Sequence, residues 1–211
     1  MPISDCEVRD PRIRRTRQLL QGALLKLMQK KSFDEISVQD IAEAATVNRA
    51  TFYDHYTDKF ALLEALVAGG FHRLLEERRV QYDGSCASAA GPVILAACEY
   101  LSASQADRSA CLRQSAFDPL IEAAMAKAIR RVLLGGMPAA KSAPEVSPEL
   151  IATACSWAIA GAIKQWISTP ERAPADQMVP IILKLVAPIL QQAGPPPGVG
   201  SLPGNPAGFP A

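Results

Sequence analysis

Histidine is nearly absent from this chain of 211 residues, with only His55 and His72 present. The five cysteines, Cys6, Cys86, Cys98, Cys111 and Cys155, form an odd set with no C-x-x-C pair. These scarcities argue against a structural zinc site and against a disulfide framework. The thiols read as small packing residues in a reducing compartment, with a thiol-reactive sensor as the alternative. Long apolar runs are also missing: the longest, Leu150 to Ile163, contains Thr153 and Ser156 and stops at Lys164. It falls short of the ~20 residues that cross a bilayer and suits a buried helix, so no membrane partner is expected. The opening MPISDCEVRDPRIRR puts acids and arginines where a secretory signal needs apolar residues, which leads us to expect a cytoplasmic protein. No G-x-S-x-G, G-x-x-x-x-G-K-[ST] or H-E-x-x-H is present, and neither an enzyme nor a cofactor is expected.

What is present is apolar and balanced. Hydrophobic residues make up 49% of the chain, which excludes a fully disordered polypeptide, and the length accommodates one large domain or a small one joined to a medium one. The formal charge of +1 excludes a uniformly basic coat protein but conceals a segregation. Residues 9–31 carry eight basic side chains, including Arg12, Arg14, Arg15 and Arg17, against the single acid Asp10. Residues 32–60 are net acidic, and residues 61–211 balance. A polyanion would meet the N-terminal end.

Periodicity is helical nearly throughout, with no period-two run bounded by turns, and the fold class is all-α. A first helix starts at Asp10 as N-cap with Pro11 in its first turn, carries Ile13, Leu20, Leu24 and Leu27 as its apolar stripe, and ends near Lys30 and Lys31. Ser37 and Asp40 have the spacing of a capping box ahead of Ile41, Ala44 and Ala45. Thr46 and Val47 make a turn, Asn48 can cap a helix from Arg49 to Tyr56, and Thr57 and Asp58 start another. Short helix, tight turn, short helix is a helix-turn-helix pattern.

A longer helix is expected from Lys59 to about Tyr82, with Gly69 and Gly70 marking a bend or a close helix contact. Further helices are expected over Gly91 to Ala103, Asp118 to Leu134, Pro148 to Ser168 and Pro174 to Gln192, the last kinked or partly broken by Pro180 and Pro188. The division that follows is a flexible N-terminus (1–8), a helix-turn-helix domain (9–58), a helical ligand-binding and dimerisation domain (59–192) and a disordered Pro/Gly tail (193–211).

The stretch SVQDIAEAATVNRATFYDHYTDKFALL carries Thr51, Phe52, Tyr53, His55, Tyr56, Lys59, Leu62 and Leu63 at fixed spacing. Residues 12–66 thereby resemble the DNA-binding domain of TetR-family transcriptional regulators. A recognition helix offers its N-terminal side chains to base edges while neighbouring donors hold phosphates. Arg49 and Thr51 lie at that entry. The resemblance implies that Tyr53 and His55 are phosphate donors and that Gln39 contacts a base or the backbone. Lys59, at the next helix start, is a further phosphate candidate, and Ser37, Asn48, Arg14 and Arg15 complete the proposed DNA-binding set. Phe52 and Tyr56 read as core. The family usually has Gly where Thr46 stands, at a turn position that favours positive φ.

The resemblance further implies a homodimer joined through the last two long helices, a palindromic operator in double-stranded DNA, and release, most simply of a repressor, by an unknown small-molecule effector. Within Ser147–Pro170 the expected dimer contacts are Ile151, Cys155, Ala158 and Ala162, and the expected effector-pocket residues are Phe71, Tyr100, Phe117 and Trp157. Helix 59–82, pivoting at Gly69–Gly70, would transmit the signal. The alternative is a helical small-molecule carrier or enzyme with a structural helix-turn-helix.

Overall fold

The computed structural model describes residues 10–106, 118–137 and 146–193. Cys6, Cys111, Phe117 and the two terminal segments, apart from Ala193, lie outside the described residues, and with them the expectations placed there. Among the described residues there are eight α-helices and no strands. They are α1 (Pro11–Met28), α2 (Val38–Ala44), α3 (Arg49–His55), α4 (Lys59–Glu77), α5 (Gly91–Ala106), α6 (Asp118–Gly136), α7 (Pro148–Ser168) and α8 (Ala175–Leu190).

The N-terminal unit packs α1 against α2, α3 and α4, with Leu20, Leu24, Ile41, Phe52 and Leu62 fully buried between them. The Asp10 carboxylate accepts from the Arg12 N–H at 2.8 Å, so α1 starts at its predicted cap. Beyond α4 the body is layered: α6 lies on α4 and α7, α7 on α8, and α5 on α8 and α4. Helix α5 is apolar nearly all round, with Val93, Ile94, Ala96, Ala97 and Cys98 buried, as a helix surrounded by others must be.

Helix α4 stops five residues before the predicted Tyr82. Arg79 takes φ = +54°, its N–H reaches the Glu76 carbonyl at 3.0 Å, and the Val80 N–H reaches the Leu75 carbonyl at 2.8 Å. This left-handed stop satisfies the last carbonyls without glycine, which is why composition did not reveal it. The expected contact at Gly69–Gly70 is realised at Gly70 alone: a Cβ there would lie 2.6 Å from the Tyr100 hydroxyl of α5. Helix α8 runs on through Pro180 and Pro188, both of which lie on its exposed side together with Ile181 and Leu185.

Helix α7 has the length and apolar composition of a membrane span, yet it buries Ile151, Ala152, Cys155, Ser156, Ile159, Ala160, Ile163 and Trp166. Two of the expected dimer contacts are thereby corrected. Ile151 and Cys155 are 1% and 0% exposed inside the protomer, because they share the face that α7 turns to its neighbours. The outward face holds Leu150, Ala154, Trp157 and Ala158, with Ala162 half-buried at its margin.

Candidate nucleic-acid interface

Local hydrogen bonds position this site before any long-range contact does. The Ser37 hydroxyl accepts from the Asp40 N–H at 3.1 Å, and the Ser37 N–H donates to the Asp40 carboxylate at 2.7 Å, closing the predicted capping box at α2. The Ser37 N–H and hydroxyl, both donating to it at 2.7 Å, and Lys31 at 2.9 Å hold the Asp40 carboxyl well below the usual carboxylate range. At the other end of α2, Thr46 has φ = +58°, donates its N–H to the Glu43 carbonyl at 3.0 Å and leaves the Val47 N–H to the Ala42 carbonyl at 3.0 Å. The turn therefore keeps the left-handed geometry with a β-branched residue in it. Asn48 then caps α3, its side chain accepting from the Ala50 N–H at 3.0 Å.

Helix α3 is pinned by Phe52, which is fully buried, and by Tyr56 at its end. The Gln21 amide of α1 donates to the Tyr56 hydroxyl at 3.2 Å, and the Arg17 guanidinium lies 5.6 Å from the Tyr56 ring centroid. Gln21 escaped sequence reasoning; its signal was a polar residue set inside the buried stripe of Leu20, Ala23 and Leu24.

With the inward face so fixed, Asn48, Arg49 and Tyr53 are exposed, and Thr51 and His55 are partly so. The Arg49 guanidinium donates to the Tyr53 hydroxyl at 3.2 Å and sits over its ring, which holds both side chains at one turn of the helix surface. Ser37 and Gln39 are exposed on α2, where the Gln39 amide donates to the Glu43 carboxylate at 2.7 Å. Arg14 and Arg15 are exposed on α1, whose following turn brings Arg17 beside α3. His55 is pushed below its ordinary pKa of 6.5, chiefly by burial and then by the Arg17 cation, with Asp54 opposing. It is neutral at pH 7.

Lys59 requires a correction. Its ammonium donates to the carbonyls of Phe33, Asp34 and Ile36 at 3.0, 3.1 and 2.8 Å and sits 4.8 Å from the Phe33 ring centroid. All three of its protons are committed to the connection between α1 and α2. Lys59 is thus a peg fastening the start of α4 to that connection, rather than a donor available to phosphate.

A cavity of about 590 Å³ lies between α1, α4, α5 and α6. Tyr100 lines it. Phe71 is buried behind Tyr100, with ring centroids 6.1 Å apart, and Trp157 is 49% exposed on the outer face of α7. Neither lines this cavity: Phe71 is turned inward on α4, and α7 does not border it.

A short α2, a left-handed turn and an exposed, capped α3 held down by Phe52 make up a helix-turn-helix DNA-binding unit. Residues 20–66 match the family described as bacterial regulatory proteins, tetR family. The match covers the helix-turn-helix region and the start of α4. An uncharacterized HTH-type transcriptional regulator of Bacillus subtilis (strain 168), YxbF, is 41% identical over 59 residues, which make up 28% of this chain and 16% of that protein. The HTH-type dhaKLM operon transcriptional activator DhaS of Lactococcus lactis subsp. lactis (strain IL1403) is 30% identical over 67 residues, 32% of this chain and 36% of DhaS. The chain thus spans well under half the length of the curated relatives it matches.

The fold is similar to that of the transcriptional repressor QsdR of R. erythropolis, from the TetR family. The two are 18% identical at a TM-score of 0.52, covering 87% of this chain and 96% of QsdR. A putative transcriptional regulator from Pseudomonas aeruginosa PAO1 is 19% identical at a TM-score of 0.50, covering 89% and 95%.

Proposed function

We propose that this protein is a homodimeric, ligand-responsive transcriptional repressor that leaves a palindromic operator when a small molecule occupies its helical body. The observation that carries this reading is the exposed row of α3. Asn48, Arg49 and Tyr53 face outward from a helix whose other side is locked by Phe52, Arg17 of α1 stands over Tyr56 at its end, and Arg14 and Arg15 are exposed on α1. Arg49 pairs with a guanine edge; Tyr53, His55, Arg14 and Arg15 hold phosphates, which supply affinity without sequence information.

Dimerisation rests on the outer faces of α7 and α8, where Leu150, Trp157, Ile181 and Leu185 are 60%, 49%, 51% and 62% exposed. Large apolar side chains grouped on two adjacent helices call for a mate, and a second copy sets two recognition helices about 34 Å apart, one turn of DNA. Repression needs no contact beyond occupancy of a promoter.

A mobility-shift titration with the DNA upstream of the coding region, at two salt concentrations, tests the reading. Sequence-selective, salt-sensitive binding is expected. Arg49→Ala is expected to cost roughly 1–3 kcal/mol on the operator and little on random DNA. Equal losses on both would remove Arg49 from base reading. No DNA binding even at low salt would favour a small-molecule carrier with a structural helix-turn-helix.

A further inference from the structure

We infer that the cavity between α1 and the body takes an amphipathic carboxylate, with its head on Arg73 and its apolar chain lying against Leu25 and Met28 of α1 and Leu66 of α4. This inference rests on the regulator reading for its consequence and on the cavity itself for its chemistry. Its volume of about 590 Å³ falls within the range of small-molecule sites, and its lining is more apolar than polar.

The charged lining residues sort themselves. Arg78 and Glu99 are ion-paired across α4 and α5 and offer little net charge to a ligand. Arg73 makes no ion pair among the described residues, and its positive field reaches the Tyr100 phenol, where it opposes the effect of burial. The phenol sits in the notch left by Gly70, and Gly70 and Arg73 are three apart on one face of α4. Arg73 and Tyr100 line the same cavity, and a guanidinium at the edge of an apolar cavity suits a carboxylate. The exposed Glu77 lies a further turn along the same lining. A cationic amphiphile would need that end instead, where no aromatic hydroxyl accompanies the charge.

Position gives the site its regulatory meaning. Leu25 and Met28 belong to α1, which packs on α2 and α3, and Gln29 follows it, whereas Tyr100 and Ile121 belong to the body. One molecule would touch both sides of the junction, and its differential affinity for one α1 placement is what moves the recognition helix. Helix α4 is continuous and Gly70 is already filled by Tyr100, so no bend at the glycine pair is required.

The test is calorimetric titration of the full chain, without DNA, using octanoate, decanoate and dodecanoate, with decanol and decylamine as neutral and cationic probes. Carboxylate affinity is expected to rise about fourfold per methylene and to exceed that of decanol at least tenfold. Arg73→Gln, at an exposed position, should lower decanoate affinity about tenfold and leave decanol unchanged. Tighter binding of decylamine than decanoate, an Arg73→Gln variant that binds decanoate normally, or no binding of any probe to chain shown to be folded by circular dichroism would each overturn the assignment. Operator affinity measured with saturating decanoate reads the coupling; an unchanged value would overturn the bridging role alone. Failure of the chain to bind DNA at any salt would instead refute the regulator reading, leaving the calorimetric result to stand or fall separately.

Discussion

Replacing Thr46 with glycine should stabilise the protein. At φ = +58° a β-carbon crowds the following carbonyl, at a cost of about 1–2 kcal/mol for a non-glycine residue. The Thr46 side chain is exposed, so its removal forfeits little packing. Against this stands the extra freedom that glycine gives the unfolded chain, worth about 0.4–1 kcal/mol. The balance is a gain of up to about 1.5 kcal/mol, which for a chain of this size is roughly 1–5 °C in Tm. Both backbone hydrogen bonds of the turn, from Thr46 to Glu43 and from Val47 to Ala42, are retained, so DNA binding should persist. Thermal melts followed by circular dichroism would compare wild type, Thr46→Gly and Thr46→Val, with Ala44→Gly as a control inside α2. Ala44→Gly should fall by about 1 kcal/mol, since a glycine in a helix brings no relief of strain. A lower Tm for Thr46→Gly than for wild type would refute the argument, because it would mean that the turn gains from the threonine more than the left-handed backbone costs.

Three further outcomes follow from the geometry. Lys59→Met should destabilise the N-terminal unit by about 2–3 kcal/mol through the loss of charge-assisted bonds to three carbonyls, while the salt slope of DNA binding in the folded variant stays unchanged; a slope smaller by about one would restore Lys59 as a phosphate contact. Operator affinity should rise as the pH falls from 7.5 to 6. The free protein keeps His55 neutral, with its pKa below 6.5, and a phosphate beside it favours the proton; His55→Asn should flatten the profile, and an unchanged profile would take His55 out of the contact. The same shift has the opposite sign for stability: the native state resists the proton, so the contribution of neutral His55 is lost as the pH falls through the unfolded value toward the folded one. Leu185→Glu should convert a dimer into a folded monomer in sedimentation velocity, and a variant that remains dimeric would move the interface elsewhere.

Much of the site was legible because its signals are local. The cap at Asp10, the box of Ser37 and Asp40 and the Asn48 cap each depend on hydrogen bonds spanning a few residues, and those residue types at those spacings leave few other conformations. The left-handed φ at Thr46 was not legible in this way, since a β-branched residue disfavours it. Lys59 was misread for the converse reason. Its partners lie 23 to 26 residues upstream, and nothing in its neighbourhood along the chain distinguishes an ammonium bound to carbonyls from one waiting for phosphate. Helix α4 was drawn too long because its stop uses Arg79 rather than a glycine.

Sequence by itself determined the helical class, the order of the helices and the outward row of α3, since periodicity and capping act within one or two turns. Only the tertiary structure decided which side of α7 is buried, where Gly70 is filled, and that the cavity opens against α1. Helix α7 is apolar on most of its circumference, so its pattern does not select the inner face. That choice is made by the shapes of α6 and α8 packed against it, and close packing leaves Ile151 and Cys155 inside and Trp157 outside.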